Sequence, residues 1–170
     1  MKYKYRNPVL SGFYPDPSVC RVNDSFYLVN STFAYFPGLP VFKSDDLLNW
    51  KQIGNAIDRP GQLCYDDHEI SQGLFAPSIR YNNGVFYIVC TLIKNGGNFI
   101  ITAKDPAGPW SDPVWLKGAD GIDPSVFLTM TEKHGTAALI RLPKAKNITA
   151  IMKFSSGKWI WKNLPKATIR

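Results

Sequence analysis

Short runs of apolar residues separated by turn residues follow one another along the first part of the chain. Residues 18–22 and 26–32 are strand-like runs, and the polar residues 23–25 between them favour a tight turn. Residues 41–43 and 50–54 have the same character and follow after short polar connections. The pattern therefore predicts a unit of four short antiparallel strands.

The same pattern returns in a second unit. Residues 78–81 and 85–92 flank the turn 82–84, which contains Asn-Gly, a dipeptide that supplies the positive φ of a tight hairpin. Residues 98–103 form the third predicted strand, and residues 110–116 form the fourth segment. The second unit is therefore predicted to have the same four-stranded antiparallel form as the first.

The two units are copies of one internal repeat. Pro17 and Pro77 are each followed nine residues later by a run that begins Phe-Tyr, and 33 residues later by Trp50 and Trp110. Four short strands in units of about 45–60 residues are typical of the blades of a β-propeller. The sequence therefore predicts an all-β fold that forms part of a propeller.

A third unit begins at Asp123, but residues 133–136 stand where its aromatic strand is expected. The sequence therefore predicts about two blades plus the start of a third. Such an arrangement leaves strand edges without partners, and we expect self-association through the exposed edge of the second blade.

Each predicted unit starts with a short motif, in which two residues are always present and the residue before them varies. Asp-Pro-Ser begins at Asp16 and again at Asp123, whereas the middle copy begins with Ala76. Pro-Ser occurs in all three copies, so we expect it to start an innermost strand, and the acid is not needed for that. Equivalent positions in a closed repeat point toward a common axis, so the two carboxylates should converge. The alternative is that each Asp only forms a turn by bonding nearby backbone amides.

Four stretches of the chain together resemble glycoside hydrolase family 43, the β-xylosidase and α-L-arabinofuranosidase family. They are NPVLSGFYPDPS at 7–18, STFAYFPGLPVFKSDDLLNW at 31–50, GLFAP at 73–77 and GIDPSVF at 121–127. The resemblance covers about residues 7–128. It implies a five-bladed β-propeller, of which this chain has about two blades plus the start of a third.

The resemblance also implies an activity and a set of site residues. The expected reaction is hydrolysis, with inversion, of xylosyl or arabinosyl linkages in xylo-oligosaccharides or arabinosyl-substituted oligosaccharides. Asp16 matches the general base that activates the attacking water, and Asp123 matches the carboxylate that orients the general acid and modulates its pKa. Phe33 and Phe75 match positions that line the sugar pocket. An inverting enzyme holds its acid and base about 6.5–9.5 Å apart, so that a water fits between base and sugar.

The chain departs from the family pattern at the general acid. That residue should be a Glu well beyond Asp123, yet Glu69 precedes the second blade and Glu132 follows Asp123 too closely. His68 and His134 show no ligand pattern, so neither a metal site nor a cofactor is expected. Without the acid, the 170-residue chain is predicted to be a truncated glycosidase of little or no activity.

Residues 129–170 differ from the rest of the chain in charge. They hold 9 Lys and Arg against 1 Asp or Glu, whereas residues 1–128 hold 11 against 12. Reading the codons from the third base of the Leu128 codon admits Asp-Asn-Asp-Gly-Lys-Ala-Trp-Tyr, as expected of a third blade in this family. We therefore interpret 129–170 as an aberrant basic tail produced by a frameshift, and 1–128 as the propeller portion.

Two other functions compete with the truncated glycosidase. The first is a non-catalytic carbohydrate-binding propeller that keeps the two Asp and two Phe residues for sugar recognition. The second is a nucleic-acid-binding tail, in which Trp159 and Trp161 lie among lysines and could stack on bases. The glycosidase hypothesis, with a sugar and no nucleic acid as partner, explains the most motifs.

The remaining composition bears on location. No run of 18 apolar residues exists and no apolar stretch follows the basic N-terminal residues, so neither a membrane span nor a secretory signal is predicted. The cysteines, Cys20, Cys64 and Cys90, are odd in number and irregularly spaced, and Cys20 and Cys90 are expected to be buried as small hydrophobic residues. A cytoplasmic protein is expected.

Overall fold

The computed structural model describes residues 5–131, 135–141, 149–155 and 158–163, with side chains for residues 5–127. Within these residues the chain forms twelve strands and no helix. The strands are β1 Ser18–Val22, β2 Ser25–Val29, β3 Gly38–Ser44, β4 Lys51–Ile57, β5 Ser78–Asn82, β6 Val85–Leu92, β7 Gly97–Ala103, β8 Val114–Trp115, β9 Ser125–Thr131, β10 Gly135–Arg141, β11 Thr149–Ser155 and β12 Lys158–Asn163.

The twelve strands form three four-stranded antiparallel sheets, each following the order of the chain. The registers confirm the predicted repeat. Ser18 lies opposite Val29 in the first sheet, and Ser78 lies opposite Val89 in the second, so both pairs are separated by the same 60 residues. The hairpin turns also match, because Asn23 and Asn83 both adopt the left-handed conformation, with φ of 54° and 46°.

The first strand of each sheet contacts the first strand of the next, β1 with β5 and β5 with β9. This arrangement places the first strands innermost, as in a propeller. The Ser of the repeated Pro-Ser has a structural role at the boundary between the first two sheets, because the Ser18 hydroxyl accepts a hydrogen bond of 3.1 Å from the backbone N–H of Ile79. The predicted partial β-propeller is confirmed.

The hydrophobic core lies between the first two sheets, and β6 runs through its centre. Every residue of β6 from Phe86 to Leu92 is buried, whereas β2 is buried at Leu28 and Val29 and only half-buried before them. A continuous apolar run that is covered on both faces is typical of a central element. The second sheet is therefore the middle one of the three sheets in the described part of the chain.

Two details differ from the sequence prediction. Trp50 and Trp110 precede their fourth strands rather than lie in them, and Trp110 packs in the core at 2% exposure while its indole N–H bonds the carbonyl of Pro106. The fourth strand of the second sheet is consequently short, only Val114–Trp115.

The third sheet extends further than the predicted start of a third blade. Strand β9 continues across residue 128, and β10 to β12 complete a four-stranded sheet between residues 135 and 163. Glu132 and His134 lie outside the described residues. The frameshift origin proposed for residues 129–170 stays a prediction.

Candidate functional site

Asp16 lies two residues before β1 and is exposed. Its backbone is left-handed, with φ of 53°, a conformation that Asp tolerates better than most residues. The buried Ser31 hydroxyl donates a hydrogen bond of 2.6 Å to Oδ2 of Asp16. No other described residue donates a hydrogen bond to this carboxylate, and Asp16 as a whole is exposed.

The segment that leads into Asp16 is held by the two residues that follow β2, Asn30 and Ser31. The Ser31 backbone N–H donates to the Pro15 carbonyl at 3.1 Å. The Asn30 side-chain amide donates to the carbonyls of Tyr14 and Pro15, at 2.8 and 3.1 Å. Asn30 and Ser31 are both buried, so the carboxylate stands on a rigid support although it is itself exposed.

An ordinary turn-forming carboxylate in the same sheet shows what differs at Asp16. Asp46 accepts hydrogen bonds from the Asn49 backbone and side chain and from the Leu48 backbone. These bonds, led by the one from the Asn49 backbone, hold the pKa of Asp46 well below its usual range. Asp16 caps no described backbone amide, and the turn-forming alternative therefore lacks its hydrogen bonds there.

Asp123 occupies the equivalent place in the third sheet, two residues before β9. It is exposed and left-handed, with φ of 58°. The loop before it is fixed by the buried Asn98, whose amide donates to the carbonyls of Ala119 and Gly121 at 2.7 and 2.9 Å. Asp16 and Asp123 thus share backbone conformation and exposure, whereas Ala76 in the middle copy does not share the left-handed backbone.

The charges of both carboxylates act on one buried thiol. Burial raises the pKa of Cys90 far above its usual range, a hydrogen bond with the Thr91 backbone opposes this, and the charges of Asp123 and Asp16 raise the pKa further. A charge acts on a thiol in this way only from close by. Cys90 belongs to the central strand β6, so the predicted convergence of the two carboxylates is consistent with their shared effect on it.

Phe33 and Phe75 are in contact, with ring centroids 5.6 Å apart and an edge-to-face geometry. Both are half-buried. Phe33 and Leu74 exchange two backbone hydrogen bonds of 2.9 Å, which joins the loop of the first sheet to that of the second. Phe33 is left-handed with φ of 49°, an uncommon conformation for an aromatic residue.

A glycine permits this junction. The backbone of Gly73 has φ of +99°, and a Cβ atom placed there would lie 2.3 Å from the Phe33 carbonyl oxygen. Any side chain would separate the two loops and with them the two predicted pocket residues.

Sequence reasoning missed three residues of this region. Ser31 lies in a stretch that resembles the family, but its contact with Asp16 spans 15 residues and needs the register of β1 on β2. Phe13 contacts Phe33 at a centroid distance of 6.0 Å, and Tyr35 contacts Phe13 at 5.9 Å. Their aromatic character was visible in the sequence, but their common location was not.

Two further candidate groups among the described residues, Glu69 and His68, make no hydrogen bond with either carboxylate. Glu69 is exposed in the loop before β5, and His68 bonds the Ile93 carbonyl through Nε2 at 2.7 Å. Among the described residues no group of three or more His, Cys, Asp or Glu could hold a metal ion, and no helix could cross a membrane.

Two cavities flank the blades without containing either carboxylate. One of about 440 Å³ lies beside Tyr87 and Trp110, on the outer part of the second sheet. Another of about 600 Å³ lies behind the base of the Asp16 loop, against Tyr14, Pro17 and Asn30.

Comparison with known proteins identifies close relatives. The sequence profile of glycosyl hydrolases family 43 matches residues 5–140. The chain is 58% identical over 123 residues to a xylosidase/arabinosidase of Butyrivibrio fibrisolvens, and 51% identical over 126 residues to a non-reducing end alpha-L-arabinofuranosidase of Bacteroides ovatus. These alignments cover 71% and 72% of this chain and 24% of each relative. The chain thus spans about a quarter of the length of these relatives.

Solved structures give the same result. The GH43B protein of a Bacteroides ovatus xyloglucan locus matches with a TM-score of 0.75 and 42% identity, over 93% of this chain and 31% of that one. A xylan beta-1,4-xylosidase of Bacillus halodurans matches with a TM-score of 0.73 and 33% identity, over 97% of this chain and 34% of that one. The three sheets therefore correspond to about a third of each of these larger proteins.

Proposed function

The chain belongs to glycosyl hydrolase family 43, and on that premise we propose that it is the first part of a propeller glycosidase that hydrolyses xylosyl or arabinosyl linkages of xylan-derived oligosaccharides with inversion. The observation that carries the proposal is the pair of exposed, left-handed Asp residues at equivalent sheet starts, with Ala76 between them. The acid is present at only two of three starts, so it serves chemistry rather than folding.

Asp16 is the proposed general base. Its Oδ2 accepts a hydrogen bond from the Ser31 hydroxyl. This bond fixes the plane of the carboxylate and leaves Oδ1 to take a proton from an attacking water. A general base must reach its water with a defined geometry before its pKa matters. The buried support beneath Asp16, from Asn30 and Ser31, supplies that geometry.

Asp123 is proposed to orient the general acid and raise its pKa. A negative charge close to a carboxylic acid disfavours ionisation of the acid and keeps it protonated near neutral pH. The fixed loop at Ala119 and Gly121, which Asn98 holds, supports a positioning role of this kind.

Phe33 and Phe75 are proposed to bind the sugar that is cleaved. Their rings meet edge to face beside the Asp16 loop, and both keep part of their surface exposed. Sugar rings present C–H groups on their faces, which pack well on aromatic rings, and pockets of this type use a few aromatic walls with isolated polar groups.

The 170-residue chain is proposed to lack the general acid. Its two glutamates are Glu69, exposed before the second sheet, and Glu132. Without protonation of the leaving oxygen, cleavage of an ordinary glycosidic bond loses about 10²- to 10⁴-fold in rate. An aryl glycoside with an acidic phenol as leaving group needs no such protonation, so the base alone can act on it.

This difference gives the test. The chain should hydrolyse 2,4-dinitrophenyl β-D-xylopyranoside or the corresponding α-L-arabinofuranoside slowly, with inversion seen by NMR, and should leave xylobiose intact. Asp16→Asn should lower the rate on the aryl glycoside by about 10²- to 10⁴-fold. Asp67→Asn is the matched control, because Asp67 is an exposed, left-handed Asp outside the site, with φ of 59°.

Three outcomes separate the alternatives. Equal rates in the two Asn variants would overturn the assignment of Asp16. Turnover of xylobiose would show that this chain has an acid of its own. Saturable sugar binding without any turnover would instead favour the non-catalytic carbohydrate-binding function.

We also propose that residues 129–170 are translated out of frame. The curated relatives align over 109 to 131 residues of this chain, and residues 129–170 hold 9 Lys and Arg against 1 Asp or Glu. Sequencing the gene across the codons for residues 120–170 tests this. A shifted frame that continues into further blades with the missing Glu would support the proposal, and an uninterrupted frame without one would refute it.

Self-association through a sheet edge is a further proposal. The outer strands β4 and β8 each leave one edge unpaired within the described sheets, and unpaired edges bind other strands. Sedimentation velocity should show concentration-dependent association, and a single monomeric species at all concentrations would contradict it.

A further inference from the structure

Four aromatic rings form a connected row that begins beside the proposed site and ends in solvent. Phe75 contacts Phe33 at a centroid distance of 5.6 Å, Phe33 contacts Phe13 at 6.0 Å, and Phe13 contacts Tyr35 at 5.9 Å. We refer to Phe75, Phe33, Phe13 and Tyr35 as the aromatic row. Each neighbouring pair lies at the distance of a direct ring contact.

Exposure increases along the aromatic row. Phe75 and Phe33 are half-buried, whereas Phe13 is 60% and Tyr35 is 55% exposed. The outer half of the row, Phe13 and Tyr35, thus exposes more than half of the surface of two large rings. Contiguous exposed apolar surface with fixed ring geometry is characteristic of a binding surface.

The rings of the outer half stand on a fixed backbone. The Tyr35 N–H donates to the Thr32 carbonyl at 2.9 Å, and Phe33 is held by its two bonds with Leu74. Ser31 fixes Pro15, two residues from Phe13, with a backbone bond of 3.1 Å. A ligand that meets rings already held in place loses little conformational entropy on binding.

The net charge of the part of the chain with described side chains argues against a polyanionic ligand. Residues 5–127 hold 9 Lys and Arg against 12 Asp and Glu, so this part of the chain repels a phosphate backbone. Tyr35 adds a hydroxyl that can donate or accept a hydrogen bond. Flat apolar faces combined with hydroxyl groups are the chemistry of a sugar ring.

We propose that Phe13 and Tyr35 form a second sugar subsite, which takes the next pentosyl unit of an oligosaccharide whose first unit occupies Phe33 and Phe75. The inference rests on the proposed function, since the row starts at the proposed pocket. The row continues from that pocket without a gap, so one oligosaccharide can contact both halves. The outer half then selects chains over single sugars.

The test measures the Kd of the 170-residue chain for xylose, xylobiose and xylotriose by NMR titration. In the unaltered chain, xylobiose should bind about fivefold to tenfold more tightly than xylose, since one more ring contact is added. Tyr35→Ala and Phe13→Leu should reduce this ratio to near one and leave the Kd for xylose within about twofold. Tyr5→Ala, which removes a ring that is 66% exposed outside the row, should keep the full ratio.

The outcomes keep this inference separate from the proposed function. If xylose binds and Phe33→Ala weakens it, but the row variants keep the xylobiose ratio, the second subsite is wrong and the proposed function stands. If no sugar binds the unaltered chain, both fail. If Tyr35→Ala instead abolishes self-association in sedimentation, a second copy of the chain covers the row, and the inference is overturned.

Discussion

The first and second sheets follow the same path and differ at the residue that matters for chemistry. Asp16 and Ala76 stand at equivalent positions before β1 and β5, yet Asp16 has a left-handed backbone and Ala76 does not. The pairing that follows is nevertheless the same in both sheets, residue for residue. The carboxylate is therefore a feature added to a sheet start that folds without it.

The hydroxyl group beside each sheet start shows how the two copies accommodate this difference. Ser31 and Thr91 are equivalent, but Ser31 donates to Asp16 whereas Thr91 bonds Asn98 Oδ1 at 2.5 Å. The register matches Asn98 of β7 with Leu39 of β3, which is fully buried and cannot accept a hydrogen bond. In the first sheet the hydroxyl therefore turns to the carboxylate, and in the second it supports the loop that leads to Asp123.

A second pair of equivalent residues, Asn30 and Cys90, makes the same hydrogen bond in both sheets. Asn30 and Cys90 each donate to the carbonyl one residue before the Asp or Ala position, that of Pro15 at 3.1 Å and that of Phe75 at 3.2 Å. The thiol is the weaker donor. The comparison shows which contacts support the sheet start in both copies, and four predictions follow from the differences between the two sheets.

The largest expected effect is at the junction between the two sheets. In Gly73→Ala the new Cβ collides with the Phe33 carbonyl, so the loops must separate, and we expect the free energy of unfolding to fall by about 3 kcal/mol. Gly84→Ala is the control, because Gly84 also has a positive φ of +80° but has no atom within 4 Å of its Cβ position. It should cost about 1 kcal/mol. Equal losses in urea denaturation would show that the junction adds nothing beyond backbone strain.

The next largest loss of stability is expected at Asn98, whose equivalent in the first sheet is Leu39. Asn98→Ala leaves the buried Thr91 hydroxyl and two loop carbonyls without partners, and should lower the free energy of unfolding by about 2 kcal/mol. Asn55→Ala serves as control in the first sheet. Its amide reaches the Pro37 and Gly38 carbonyls only at 3.4 Å, and its Oδ1 accepts a bond of 3.0 Å from the exposed Gln52 side chain. Because water can replace these bonds, its loss should cost below about 1 kcal/mol. A milder loss for Asn98 than for Asn55 would refute this account of the second sheet.

The sequence predicted the repeated parts of this molecule well and the contacts between them poorly. Strand positions and the hairpin turns follow from apolar periodicity and from Asn-Gly, which act locally. The contact of Ser31 with Asp16 and the exchange of bonds between Phe33 and Leu74 join residues distant in the chain, and they require the register and the close approach at Gly73. The roles of Asp16 and Asp123 rest on the resemblance, because no local pattern identifies a general base.

A smaller effect on stability, with a clear effect on geometry, is expected at Ser31. Ser31→Ala should cost about 1 kcal/mol and release the Asp16 carboxylate, because the bond to Oδ2 holds its rotamer. Three-bond NMR couplings should change from one χ1 rotamer to an average. Ser31→Thr should restore the single rotamer, since the second sheet carries Thr91 at the same place. A single Asp16 rotamer in the Ala variant would mean that the backbone alone fixes the side chain.

The smallest expected effect concerns Cys20, whose equivalent in the second sheet is Arg80. Burial raises the pKa of the Cys20 thiol from 9.0 to about 11, and the neighbouring Arg80 guanidinium opposes the rise. Because the folded pKa lies above the unfolded one, this thiol stabilises the fold fully below pH 9, and its contribution is lost as the pH rises toward about 11.

With the exposed Cys64 replaced by Ser, alkylation of Cys20 should accelerate toward pH 11, and Arg80→Met should move the profile upward by a few tenths of a pH unit. Further replacement of Cys20 by Ser should flatten the decline of the free energy of unfolding between pH 9 and 11. An unchanged alkylation profile in Arg80→Met would mean that burial alone determines the pKa of Cys20. The Arg80 guanidinium of the second sheet would then have no effect on a thiol of the first.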